Sequence, residues 1–163
     1  MIRIAASMAF CLAGPQAALA ACPQELAVYA DPDKSLTLEF SPRENAAQAI
    51  SHGFKVVMAN DIVLDGVVIW SGDEARPDAI MMLDCPDGDV TGDELAACIV
   101  WQGVVYSVDG QGNVDLLPPE GADAAERLLF PDLGRTMRLS ALWGDGKVTV
   151  APWDVLALDA CQE

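Results

Sequence analysis

Hydrophobic and polar residues alternate in short stretches along most of the chain, and turn residues separate these stretches. Between Ser35 and Phe40 the apolar side chains occupy every second position, and Thr37 and Glu39 lie between them. A period of two is that of a half-buried β-strand. The same signals, together with β-branched and aromatic residues, predict further strands at residues 54–59, 62–70, 79–84, 99–108, 114–117, 136–143, 147–150 and about 154–158.

Turn residues indicate how several of these strands connect. An Asn-Asp pair at residues 60–61 separates two of them, and Asp-Gly at residues 65–66, inside the second, predicts either another hairpin turn or a bulge. Gly-Asp-Gly at residues 144–146 lies between the strands at 136–143 and 147–150. We therefore expect the clearest hairpin of the chain at this point.

Helix signals occur at two places between the strands. Ser-Pro-Arg-Glu at residues 41–44 is typical of a helix start and predicts a short helix to about residue 51, with His52 as its C-cap. Thr91 and Glu94 form the capping-box pattern, in which each side chain bonds the backbone N–H of the other residue. This pattern predicts a second short helix that ends near residue 98.

Residues 122–129 have helical periodicity and predict a third helix, followed by a loop at residues 131–134. In total the pattern predicts eight or nine short strands with two or three short helices. The fold class is therefore mainly β, a β-rich α+β protein. We expect an antiparallel sheet rolled into a sandwich or a partial barrel.

The first twenty residues differ from the rest. Arg3 precedes an apolar stretch at residues 4–14, which Pro15 ends, and Ala18 and Ala20 provide small residues before a cut. This order is that of a secretory signal peptide. The alternative is a retained membrane anchor, but the apolar stretch is far shorter than the roughly 20 residues that span a bilayer. We expect residues 1–20 to be cleaved and residues 21–163 to form one globular domain.

Residues 19–22, Leu-Ala-Ala-Cys, resemble the lipobox of bacterial lipoproteins, in which the cysteine becomes the lipidated first residue. The resemblance covers these four residues only. It implies an alternative in which the protein is anchored in the cell envelope through Cys22.

Four cysteines follow the predicted signal, and an even number in an exported chain predicts disulfides. Three pairings are possible. We favour Cys85–Cys98, which closes a short acidic loop, and Cys22–Cys161, which joins the two ends of the domain. A lipidated Cys22 would leave Cys161 without a partner, so the even count favours the soluble form. Zinc is not expected, because the ligand spacing of zinc sites is absent from the sequence.

The chain is strongly acidic, with a formal net charge of −16 and a pI of about 4.1. Such a surface repels phosphate backbones and anionic lipid, which argues against nucleic acid and a charged membrane surface as partners. High net charge also keeps a protein dispersed, so we expect a monomer. No apolar run after the signal is long enough to cross a membrane.

Two candidate sites for chemistry have structural explanations of equal or greater weight. His52 is the one histidine of the chain. Ser51 is adjacent to it, and we do not expect adjacent side chains to face each other. The Gly-x-Ser-x-Gly motif of a catalytic serine is absent from the sequence. The acidic loop copies the first half of a calcium-binding loop but lacks its later ligands, so it holds only weak candidates for a calcium ligand. These are Asp87, Asp89, Thr91 and Asp93.

The four tryptophans lie at strand ends or beside turns, where such residues more often belong to the core. If any are exposed, Trp143 and Trp153 are the candidates for a platform that binds a ligand. With no cofactor motif and no catalytic constellation, we expect an exported, non-catalytic binding or accessory module of the bacterial periplasm or the cell exterior. It would act on an unidentified protein or small molecule. The alternatives are a hydrolase with a carboxylate-based or calcium-assisted site and the lipoprotein anchored through Cys22.

Overall fold

The structure is a computed structural model that describes residues 22–43, 50–71, 76–86, 88–89, 91–145 and 147–163. The predicted signal peptide lies outside these residues. Within them the chain forms ten strands and two α-helices, α1 (Gly92–Cys98) and α2 (Leu133–Leu139). The strands are β1 (Ala27–Ala30), β2 (Leu36–Ser41), β3 (Ile50–Met58), β4 (Val63–Ser71), β5 (Arg76–Met82), β6 (Ile99–Val104), β7 (Tyr106–Val108), β8 (Val114–Leu116), β9 (Arg127–Leu129) and β10 (Val155–Cys161).

All ten strands belong to one antiparallel sheet with the order β6-β5-β4-β3-β2-β1-β10-β9-β7-β8. Strands β1 to β6 follow one another as a meander, and β10 returns to pair with β1. The chain passes from β6 to β7 through the single buried residue Val105, whose N–H donates to the Pro77 carbonyl. Since β6 and β7 lie near opposite ends of the strand order, this short connection requires the sheet to curl. The β-rich class is confirmed, and the sheet is a partial barrel; a sandwich is not confirmed.

The alternating pattern of β2 places its apolar side chains in the core. Leu36, Leu38 and Phe40 are buried, whereas Glu39 on the other face is exposed. Strand β3 continues the core with alternate buried residues, and α2 adds Leu133 and other side chains from its inner face. The core is thus the concave face of the curled sheet together with one short helix.

Two predictions near residues 60 and 66 have different outcomes. The turn between β3 and β4 is present, and Asn60 and Asp61 both have positive φ values, 61° and 58°. Gly66, in contrast, forms neither a turn nor a bulge, because it lies inside the continuous strand β4 opposite Phe54. A Cβ atom at Gly66 would lie 2.1 Å from Phe54 Cε2. The glycine therefore makes room for an aromatic ring of the core.

The predicted helix at residues 42–51 falls largely on residues 44–49, which lie outside the described residues. Its expected end is wrong, because Ile50 and Ser51 belong to β3. His52 is therefore a strand residue that pairs with Val68 and not a helix C-cap. The strand pairing outweighs the local helix signal.

Two other predictions are wrong in the second half of the chain. Residues 122–129 are not helical: the N–H of Ala124 donates to the Cys22 carbonyl, and residues 127–129 form β9 between β10 and β7. The predicted hairpin at 136–150 and the loop at 131–134 give way to α2. Trp143 and Val148 share an isolated bridge, but it is parallel and so is not the antiparallel pairing of a hairpin. Gly146 lies outside the described residues.

Disulfides join Cys22 to Cys161 and Cys85 to Cys98, the pairing favoured from the sequence. The first connects the start of the domain to the end of β10, which is the strand that pairs with β1. The second lies at the end of α1, whose capping box is formed as predicted. No helix of the described residues has the length and apolar character needed to cross a membrane.

Candidate functional site

The two tryptophans singled out from the sequence line one open groove. It has a volume of about 830 Å³ and lies between α2 and residues 149–155. We call it the tryptophan groove, and its lining includes Arg135, Arg138, Trp143, Val150, Trp153 and Val155.

The groove exists because residues 149–155 can approach the start of α2 closely. A Cβ atom at Gly134 would lie 2.3 Å from the Pro152 carbonyl oxygen, so only glycine permits this approach. Asp154 then fixes the segment: its two carboxylate oxygens accept hydrogen bonds from the backbone N–H groups of Asp132 and Gly134, each at 3.0 Å. A carboxylate here satisfies N–H groups that the first turn of the helix leaves unpaired.

Trp153 is the most exposed aromatic part of the groove. Its side chain is 57% exposed, and the neighbouring Val150 and Val155 are 55% and 38% exposed. The indole N–H donates to the Asp33 carboxylate at 2.8 Å. The groove thus presents apolar surface to solvent. The sequence favours the core for the tryptophans in general, and Trp153 is one of the two that it marks as candidates for exposure.

Trp143, at the other side of the groove, is half-buried and carries an arginine on its face. The guanidinium carbon of Arg138 lies 5.3 Å from the centre of the Trp143 ring, which is cation–π geometry. Arg135 lies one turn earlier on the same face of α2 and also lines the groove. Both arginines are exposed.

Neither arginine has an acidic partner among the residues that the structure describes. The ion pairs there involve Lys34, Arg43 and Lys55 instead. The two carboxylates that line the groove accept hydrogen bonds from neutral groups, Asp33 from the Trp153 indole and Asp154 from the start of α2. The tryptophan groove therefore combines apolar surface with two arginines that form no ion pair in the described residues, and two carboxylates line it as well.

His52 lies away from this groove and is buried in the core, with its ring 5.7 Å from that of Phe40. Contrary to expectation, the Ser51 hydroxyl lies 2.9 Å from His52 Nδ1, because the strand register shifts between Ile50 and His52. Burial lowers the pKa of His52, and the nearby Pro118 carbonyl partly opposes this shift. The Nε2 atom has no hydrogen-bond partner of normal geometry among the described residues. The ring is 1% exposed, so it cannot meet a substrate from solvent in this state.

The calcium candidates do not form a site in the described part of the chain. Asp87 lies outside the described residues, and Asp89 and Asp93 are exposed on the loop before α1 and in its first turn. The Thr91 N–H and hydroxyl both donate to the Glu94 carboxylate, and this lowers the pKa of Glu94. No group of three potential metal ligands occurs among the described residues.

Sequence reasoning missed Arg135 and Arg138. Their spacing of three residues places them on one face of a helix. The segment was predicted as a loop and a strand, and residues three apart in a strand point to opposite faces. The start of α2 carries no local capping signal, because the carboxylate that accepts from its first N–H groups belongs to Asp154, about twenty residues further along the chain.

The chain matches no protein-family model, and neither the curated proteins nor the solved structures contain a significant match.

Proposed function

We propose that this protein is an exported binding or accessory module that acts without catalysis, and that its ligand occupies the tryptophan groove. One observation carries the proposal: an exposed tryptophan and two arginines that form no ion pair in the described residues line the same groove. Trp153 is accompanied in the groove by exposed Val150 and Val155, and neighbouring exposed apolar residues are a common feature of interaction sites. Tryptophan and arginine are also the residues most enriched where binding energy is concentrated.

The disulfides support the compartment. Two disulfides in a chain of this size indicate an oxidising environment outside the cytoplasm. Together with the signal-like first twenty residues, they are consistent with export to the bacterial periplasm. The strong negative charge fits a dispersed protein in that compartment.

The two alternatives find less support. A glycosidase-like general acid needs a raised pKa, whereas hydrogen bonds lower the pKa values of Glu25, Glu94 and Asp109. An anchor through Cys22 requires its sulfur for the lipid, but that sulfur is bonded to Cys161. Lipidation and this disulfide exclude each other.

The proposal can be tested by photo-crosslinking in the native host. A photoreactive phenylalanine analogue replaces Val150 in the groove. The control places the same analogue at Val114 on β8, because Val114 is 57% exposed and Val150 is 55% exposed. We expect a discrete adduct, seen by intact mass, from position 150 only. The adduct should disappear when Trp153→Ala is added. Equal labelling at both positions, or none at position 150, would contradict the proposal.

A further inference from the structure

The tryptophan groove holds two arginines without an ion pair in the described residues, in a protein that is strongly acidic. The chain has 25 acidic residues and 9 basic ones. Even so, Arg135 and Arg138 lie on one face of α2, both exposed, and neither contacts a carboxylate in the parts of the chain described. Arginine presents a planar fork of donors that matches a carboxylate with two parallel hydrogen bonds.

The acids of the groove do not form ion pairs with these arginines. The Asp154 carboxylate accepts from the N–H groups of Asp132 and Gly134, and the Asp33 carboxylate accepts from the Trp153 indole N–H. The guanidinium donors of Arg135 and Arg138 are therefore available to an acid from outside the molecule.

The shape of the groove favours a protein segment over a small molecule. Small-molecule sites enclose most of their ligand. Here Val150, Trp153 and Val155 are each more than a third exposed, so the groove is open along its length. Exposed apolar surface with tryptophans and arginines has the aromatic and arginine content that is enriched in protein interfaces.

Resting on the proposed function, we propose that the tryptophan groove binds a segment of a partner protein in which an aspartate or glutamate stands beside an apolar residue. The carboxylate pairs with Arg135 or Arg138, and the apolar side chain packs on Trp153 and Val150. The net charge of −16 repels an acidic partner at long range. This repulsion slows encounter, but salt screens it beyond about 8 Å, so the local contacts decide the affinity.

The test uses three capped hexapeptides, each of which repeats one dipeptide three times: Glu-Leu, Gln-Leu or Lys-Leu. Each peptide is added to the isotope-labelled protein with both disulfides intact. The Trp153 indole N–H signal and the backbone amides of α2 report binding by NMR. We expect the Glu-Leu peptide to shift these signals and to bind about tenfold more tightly than the Gln-Leu peptide, the range of a good charge-assisted contact. The Lys-Leu peptide should bind more weakly at this groove than either.

Matched variants separate the groove from general charge effects. Arg135→Gln with Arg138→Gln should remove the preference for the Glu-Leu peptide. Arg76→Gln with Arg127→Gln makes the same change of charge at two exposed arginines outside the groove, and the preference should persist. Unchanged amide signals of the sheet will verify that each variant is folded.

Three outcomes would overturn the inference. Equal binding of the Gln-Leu peptide would remove the role of the carboxylate while leaving the groove a binding site. No shift of groove signals with any peptide would exclude peptide segments of this kind, and the crosslinking experiment then decides the proposed function separately. Groove signals that move on dilution of the protein alone would assign the groove to a second copy of the chain.

Discussion

At the scale of single residues, Tyr29 shows how burial sets the properties of a polar group in this core. Its side chain is fully buried, and its hydroxyl lies 3.0 Å from both the Gln24 Oε1 atom and the Ala125 carbonyl oxygen. It thereby ties β1 to the extended segment before β9. Burial raises the pKa of Tyr29 to about 12, because a phenolate would lose its solvation there.

The raised pKa of Tyr29 predicts a loss of stability at alkaline pH. Between the ordinary value of 10.0 and about 12, the folded protein keeps a proton that the unfolded chain releases. The contribution of Tyr29 is therefore complete below pH 10 and decreases as the pH rises through this window, by about 3 kcal/mol once the pH is above 12. Urea unfolding at pH 9 and at pH 11.5 should show about 2 kcal/mol of this loss.

The control for this prediction is Tyr29→Phe, which keeps the ring and removes the ionisable group. Its free energy of unfolding should be lower at pH 9 by about 1 kcal/mol, the typical net value of a buried hydrogen bond. Between pH 9 and pH 11.5 it should then fall less than that of the natural protein. An equal decline in both proteins would show that Tyr29 does not cause the alkaline loss.

At the scale of elements, a glycine allows α2 and residues 149–155 to form the tryptophan groove. Gly134→Ala would place its Cβ atom 2.3 Å from a backbone oxygen of Pro152, and a backbone atom cannot move aside as the end of a side chain can. We expect this variant to lose about 1–3 kcal/mol of stability, the usual cost of overpacking. Chemical denaturation measures the loss.

Gly92→Ala serves as the matched control, since Gly92 also lies in the first turn of a short helix. A Cβ atom there would meet nothing within 4 Å, and we expect a change within about 0.5 kcal/mol. A Gly134→Ala variant as stable as Gly92→Ala would contradict the packing described here. The Trp153 indole signal should also move in Gly134→Ala alone, because the displaced segment carries that residue.

At the scale of the whole molecule, the two disulfides act on very different lengths of chain. Cys22–Cys161 closes a separation of 139 residues and Cys85–Cys98 one of 13. In the chain-entropy model these loops correspond to about 5 and about 3 kcal/mol of stabilisation, respectively. The longer one also lies beside the pairing of β1 with β10, where the meander of β1 to β6 meets the C-terminal strands.

The intact mass of the protein purified from its native host tests export and the disulfides together. We expect a chain that starts at Ala21 and gains about four hydrogens on reduction, two for each disulfide. A chain that starts at Cys22 with added acyl groups would establish the lipoprotein instead. It would also rule out the bond to Cys161 in the mature protein.

Local patterns were sufficient for many of the strands. The alternation at β2 and the apolar stretches of β4 and β6 predict strands. In a strand, residues two positions apart share one face of the sheet, so a local pattern is enough to identify the buried face. The capping box of α1 was equally clear, since Thr91 and Glu94 are three residues apart. Strand β1 was missed because four residues are too few to establish a period.

The sequence by itself determined the β-rich class and the two tryptophans worth examining, because these depend on composition and on neighbours in the chain. It allowed three cysteine pairings and favoured one, and the structure has that pairing. The tertiary structure decided where α2 lies, since its cap, Asp154, comes from a distant strand boundary. It also decided that Trp143, Trp153, Arg135 and Arg138 share one groove. Such a site depends on contacts between segments far apart along the chain, and no local pattern records them.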